Sequence, residues 1–336
     1  MNLHTDGVVN SPSNQDGTKY AAPCTCLMFV DTDKKLRPIA IQLTPGGPIF
    51  TPKDNKWQWM YAKMAVRNAD CQYHQILDHW FNAHAMSEVY SISVNRAFSR
   101  VHPIYRLLIN HMKYTININT PARKSLISSG GLAVNGSSIG TKFGEFIAMN
   151  YENMDIDKLD FPSRLESLGF HKTKDGVDKG ALDEYPFGDD GALVWDAIYE
   201  FVGEYLRLYY NDDKDIMEDN ELRDWIKELR EEGHPLHKNT FPKVETIDAL
   251  EKFVTTIIWT TSCHHSVVNF NQFKVIGFFP NYPAFLFQRI PTTKEIIDED
   301  FIVKSFPQLP ALSMALLTLN LISNYSKSEE YLLTNP

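Results

Sequence analysis

From Trp57 to Val89 the chain contains neither glycine nor proline. Those residues weaken or break helices, glycine through backbone freedom and proline through its missing N–H. Met60, Met64, Ala65, Ala69, Ile76 and Trp80 recur through this block at helical intervals. The pattern predicts one helix from about Trp57 to Val89, far longer than the usual helix of about three turns. A rod of that length suits the centre of a large helical domain.

TIDALEKFVTTIIWTTSCHHSVVNF, from Thr246 onward, predicts a second long helix. Its centre, FVTTIIWTTSC, is apolar or small on nearly every side, as a buried helix should be. Asp248 with Glu251 reads as a capping box at its start. CTCLMFV and RPIAIQL, joined by DTDKKL, read as a small β-hairpin, with Pro38 favouring an edge strand. TPGGPIFTPKDNK reads as a loop, residues 1–20 as an irregular segment, and 135–191 as mixed and loop-rich. GALVWDAIYEFVGEYLRLYY reads as an amphipathic helix capped by Asp189 and Asp190, and a further helix is expected beyond Leu309. The acidic run NDDKDIMEDN reads as a solvated face. The fold class is mainly α, with two long core helices and one small hairpin.

The chain has 336 residues, 43% of them apolar, enough for one large core or two domains. No internal repeat or domain boundary stands out. A net charge of -9 argues against a nucleic-acid partner. Four cysteines do not make a disulfide framework. Cys24 and Cys26 are too close for a zinc knuckle, while Cys71 and Cys263 sit in apolar runs and read as buried thiols. The first 20 residues show no basic start or apolar leader segment. PALSMALLTLNLI is the nearest approach to a membrane span and is too short. A reducing, cytoplasmic location and no transmembrane segment are therefore expected.

His74, His79 and His84 stand at steps of five. Five is awkward for a regular helix, but a π-bulge, with about 4.4 residues per turn, brings such residues nearly onto one face. Bulges of this kind gather at functional sites. On the second rod, His265 and Asn269 are four apart and share a face. Three imidazoles and an amide oxygen would suit Fe, Ni, Cu or Zn. The glutamate base of a hydrolytic zinc site is missing, so redox-active iron is the better reading, although its usual carboxylate ligand is also not evident. Buried histidines that only satisfy hydrogen bonds are the structural alternative. His74 then reads as a residue that orients a ligand, and His264 as structural.

The motifs AKMAVRNADCQYHQILDHWFNAHAMSE, VHPIYRLL, ININTPARKSLI, DAIYEFVGEYLRLYY and WTTSCHHSVVNFNQF follow one another in this order and take in nearly everything from Tyr20 onward. In these motifs the chain resembles the lipoxygenase family. The resemblance implies a catalytic domain over 21–336, incomplete at both ends, since the family's C-terminal carboxylate ligand is not in this sequence. By resemblance, His79, His84 and His265 hold one non-haem iron per chain, with Asn269 as a weaker ligand. Gln75 and Gln272 link ligand and substrate pocket. Trp80, Ala122, Leu126, Gly136 and Ser137 line or neighbour the pocket, with Ala122 at the position that separates S from R products. Plant members of the family often place an Arg in the stretch matching FFPNYPA, where this chain has Tyr282. The implied substrates are O₂ and a polyunsaturated fatty acid with a cis,cis-1,4-pentadiene unit. Iron(III)-hydroxide would take a bis-allylic hydrogen, and O₂ addition would give a hydroperoxide. Peripheral membrane contact through regions outside this sequence is conceivable. A catalytically silent helical domain that binds lipid or a protein partner is the alternative.

Overall fold

The structure, a computed structural model, describes residues 19–270 and 272–323. The irregular segment expected over 1–20 lies mostly outside the described residues. Within it, Tyr20 is anchored, donating its backbone N–H to the Leu286 carbonyl at 2.8 Å.

The first rod forms as expected and runs further. It continues without a break through Lys56–Gln72, Tyr73–Ala85 and Met86–Ala97, and the middle segment is a π-helix. Asn55 starts it by accepting the Trp57 N–H at 2.8 Å, while the Gln58 side chain accepts the Asn55 N–H at 3.2 Å. This reciprocal cap satisfies donors that the first turn would leave open. The rod passes Val89 because Tyr90 and Val94 extend its buried face. Polar residues there bond back onto the helix, Ser93 Oγ to the Tyr90 carbonyl at 3.0 Å and Asn95 Nδ2 to the Ser91 carbonyl at 2.8 Å. Serine and asparagine are weak helix formers, and these bonds keep their polar groups satisfied within the rod.

The second rod runs through Ile247–Trp259, Thr260–His264 and His265–Asn269, again with a π-helical middle. Its cap differs from the expected one. Thr246 Oγ1 accepts the Ala249 N–H at 3.1 Å. Glu251 serves elsewhere, accepting from Arg207 Nη2 at 3.1 Å. The helix Pro186–Leu206 also begins before its expected caps, with proline in its first turn. Asp189 lies inside that turn and accepts the Tyr185 N–H at 3.3 Å.

The described chain divides into two compact units. One holds the residues through Phe81, Thr120–Tyr151 and those from Val268 on. It contains strands β1 (Thr25–Val30), β2 (Leu36–Gln42) and β3 (Ile49–Phe50), paired antiparallel in the order β1–β2–β3. The expected hairpin is β1–β2, and β3 comes from the stretch read as a loop. Pro38 consequently lies on the middle strand. The sheet tolerates it because β3 pairs only with Ile41 and Gln42, and because the β1–β2 register shifts between Leu27 and Met28 beside it. Cys26, Ile41 and Phe50 bury against Tyr61, Ala65 and Ala69 of the first rod. The small alanines let the sheet approach the helix closely. The expected helix beyond Leu309 is present as Leu309–Ser323.

The other unit holds Asn82–Asn119 and Glu152–Val267. Here Trp225 is fully buried and donates its indole N–H to Ser93 Oγ at 2.9 Å, tying the helix Asn220–Glu228 to Met86–Ala97. Strands β4 (His171–Thr173) and β5 (Gly176–Asp178) form a hairpin in the region read as mixed. Cys24, Cys26 and Cys71 are buried, whereas Cys263 is only half-buried. No single helix among the described residues is long and apolar enough to cross a membrane. A bent pair, Glu299–Ser305 with Leu309–Ser323, reaches that length and composition only across a 52° break.

Candidate metal centre

The five-residue step has the consequence its spacing suggests. His79 and His84 both lie in the π-helical segment Tyr73–Ala85, where the wider turn brings them toward one face. His265 follows directly on the second π-helical segment, Thr260–His264. Hydroxyl side chains support that segment. Thr261 Oγ1 donates to the Ile257 carbonyl at 2.9 Å, and Ser262 Oγ donates to the Ile258 carbonyl. Back-bonding of this kind competes with the regular backbone ladder and often bends a helix, which suits a segment that departs from α-helical pitch.

Each of His79, His84 and His265 offers one ring nitrogen, and the three nitrogens lie within 4.8 Å of one another. All three side chains are buried. His84 Nε2 and His265 Nε2 are 3.0 Å apart, and their rings meet edge to face at 83°. Two imidazole nitrogens at ordinary metal–nitrogen lengths of about 2.1 Å, on adjacent positions around one ion, stand roughly 3 Å apart. The donor set therefore fits a single metal ion.

The electrostatics point the same way. Burial pushes His84 down to about 4, against the opposing pull of its Asn119 hydrogen bond. Burial also holds His265 well below its ordinary value, with His84 and His264 adding to the effect. Both rings are neutral near pH 7, the state in which imidazole binds metal.

A second group of side chains continues from the second rod. Asn269 is buried one turn beyond His265, on the same helical face. Its Oδ1 accepts from Gln272 Nε2 at 3.2 Å. Gln272 Oε1 in turn accepts from Gln75 Nε2 at 2.6 Å, and Gln75 Nε2 also lies 3.2 Å from His74 Nδ1. His74, Gln75, Gln272 and Asn269 thus form one hydrogen-bonded series. His74 is not part of the three-histidine group. Burial lowers its pKa, while the Asp78 and Asp70 carboxylates and a hydrogen bond to the Val268 backbone oppose the shift.

Among the expected pocket residues, Ala122 and Ser137 are buried, and Trp80, Leu126 and Gly136 are half-buried. Gly136 has a local reason to be small, because a Cβ there would stand 2.9 Å from the Leu132 carbonyl oxygen. Tyr282 is buried and donates its hydroxyl to Asp70 Oδ2 at 2.6 Å. Asn119 was not anticipated. It is fully buried and hydrogen-bonds His84. Nothing in ININTPA marks that asparagine apart from its neighbours.

Comparison with known proteins agrees with this geometry. The lipoxygenase family model matches residues 8–336. The chain is 36% identical to the chloroplastic lipoxygenase 2 of Arabidopsis thaliana, over 96% of this chain and 39% of that protein. It is 32% identical to the human polyunsaturated fatty acid lipoxygenase ALOX15B, over 94% of this chain and 46% of that protein. A lipoxygenase deletion variant crystallised anaerobically with arachidonate superposes with a TM-score of 0.90 at 29% identity, covering 98% of this chain and 51% of that one. The chain thus spans about half or less of the length of these relatives. The expected cytoplasmic location is overturned, since seven of the eight similar proteins compared are chloroplastic. A leader segment is a poor guide to location in a sequence that covers only part of its relatives. A match over nearly the whole chain, joined to three buried imidazoles on two widened helices, places this chain in the lipoxygenase family.

Proposed function

We propose that the protein is a non-haem iron dioxygenase that converts polyunsaturated fatty acids to hydroperoxides. The observation that carries this reading is the convergence of three buried imidazole nitrogens at one point. In this reading His79, His84 and His265 hold one iron, and Asn269 supplies an amide oxygen as a weaker ligand. A bound, redox-active iron supplies hydrogen-atom abstraction from a bis-allylic methylene and takes up the electron that this abstraction releases.

The chain's own residues do the rest. The two rods fix the imidazoles so that little reorganisation is needed on binding. Gln75 and Gln272 relay hydrogen bonds from Asn269 toward His74, which restrains how far the Asn269 amide can turn. Trp80, Ala122, Leu126, Gly136 and Ser137 are assigned to the substrate pocket, where apolar walls orient the acyl chain and exclude water. The Ala122 methyl is assigned to shield one position of the bound chain from O₂. The fatty-acid class is supported by ALOX15B, a relative named for polyunsaturated fatty acids, and by the arachidonate complex of a structural relative.

His265→Ala in the full-length protein tests the reading. Bound iron is expected to fall by at least about tenfold, and formation of conjugated diene from a pentadiene fatty acid to vanish. Wild-type iron content with retained oxygenation would overturn it.

A further inference from the structure

Three hydrogen bonds converge on Asn119, which has no exposed surface. Its Nδ2 donates to the His84 backbone carbonyl at 2.8 Å and to Glu88 Oε2 at 2.9 Å. A carbonyl and a carboxylate only accept, so the NH₂ end of the amide must face them. The carbonyl end, Oδ1, therefore faces His84 Nδ1, 2.9 Å away. An amide oxygen also only accepts. His84 must then carry its proton on Nδ1, which leaves a lone pair on Nε2. Nε2 is the atom that stands 3.0 Å from His265 Nε2.

The backbone gives a second role to the same amide. The π-helix ends at Ala85, and Met86 begins regular α-helix. The His84 carbonyl lies at this change of pitch, where the ladder of backbone hydrogen bonds is re-registered. The Asn119 donor secures that carbonyl, and Glu88, one turn on, secures the donor.

We infer that Asn119 is a positioning residue for the metal centre, locking the His84 tautomer and the end of the widened helix together, with Glu88 as its anchor. The inference rests on the metal-binding reading above. Partners of this kind typically change metal affinity by about 10–100-fold when removed.

The test uses anaerobic Fe(II) titration of the full chain, together with ¹⁵N NMR of the metal-free protein to read the histidine tautomers. Wild type should bind one Fe(II) and show His84 protonated on Nδ1. If wild type binds no Fe(II), the metal-binding reading fails, whatever Asn119 does. Given binding, Asn119→Ala should weaken Fe(II) about 10–100-fold and turn the His84 signal into a mixture of tautomers. Wild-type affinity with an unmoved His84 tautomer would overturn the inference. Should Asn119→Ala fail to fold, Glu88→Ala decides, because it leaves both contacts of Asn119 with His84 in place and removes only the anchor. A mixture of His84 tautomers with weakened Fe(II) binding in Glu88→Ala supports the inference, and a wild-type tautomer with wild-type affinity overturns it.

Discussion

Asp219 Oδ2 takes hydrogen bonds from two side chains at once. His102 Nδ1 accepts the Ile104 N–H at 3.1 Å, so its proton sits on Nε2, which donates to Asp219 at 3.0 Å. The Tyr210 hydroxyl donates to the same oxygen at 2.6 Å, and Asp219 Oδ1 caps the next helix by accepting the Leu222 N–H at 3.0 Å. Burial alone would raise this carboxyl, but the donors outweigh it and hold it at about 2 against an ordinary 3.8. A lowered carboxyl stabilises the fold above its unfolded value and loses that contribution as pH falls through its folded value. Asp219 is therefore expected to contribute about 2 kcal/mol at neutral pH and to lose it between pH 3.8 and about 2. Urea unfolding of wild type and Asp219→Ala across that range measures it. The stability gap should narrow as acid is added, and a gap that stays constant would contradict the assignment. The sequence reads the acidic run around Asp219 as a solvated face. That holds for the exposed Asp212 and Asp213, but it misses Asp219, whose partners include His102, far away along the chain.

At the scale of elements, the two widened segments were unequally legible. In the first rod the histidines themselves straddle the wide turn, so the spacing of His79 and His84 betrays it. In the second rod His265 and Asn269 both lie beyond the wide turn, at a regular spacing of four, and the π-helix Thr260–His264 leaves no mark in their positions. Its signal is the hydroxyl run TTS, which looks ordinary until the side chains are seen bonding back to carbonyls. Capping was legible in kind but not in place. Thr246 caps the second rod in place of the expected Asp248, because a cap must precede the helix and the true first turn begins earlier than the apolar pattern does. Thr261→Val isolates the back-bonding. Valine keeps the shape and removes the donor shared by the Ile257 and Ile258 carbonyls, at 2.9 and 3.3 Å. Thr261 is completely buried, so no water replaces the hydroxyl. A loss of about 1–2 kcal/mol is expected, read from the urea midpoint at unchanged slope. An unchanged midpoint would mean that the hydroxyl does not support the widened turn.

At the scale of the whole molecule, the ordered series of motifs across the chain made the helical class and the rods legible, whereas the close contacts that set helix spacing were not. Gly191 illustrates why. In the sequence it is one more residue of an amphipathic helix, and glycine in a helix interior normally costs about 1 kcal/mol relative to alanine. In the structure, a Cβ at Gly191 would stand 2.6 and 2.7 Å from two atoms of the Phe161 ring and 3.4 Å from Trp259. Phe161 is fully buried, with its ring centre 4.7 Å from that of Trp259 and 6.2 Å from that of Trp195. The ring has nowhere to retreat, and overpacking of this kind costs about 1–3 kcal/mol. The steric term exceeds the gain in helix propensity, so Gly191→Ala should destabilise the protein by about 1–2 kcal/mol. Gly144 provides the opposite case. It is exposed near the start of the helix Phe143–Glu152, and a Cβ there meets nothing within 4 Å. Gly144→Ala should be stabilising, by up to about 1 kcal/mol. Thermal unfolding of the two variants side by side should show shifts of opposite sign. Shifts of the same sign would mean that the Phe161 ring can yield, and that the spacing between these helices is not set by the missing side chain.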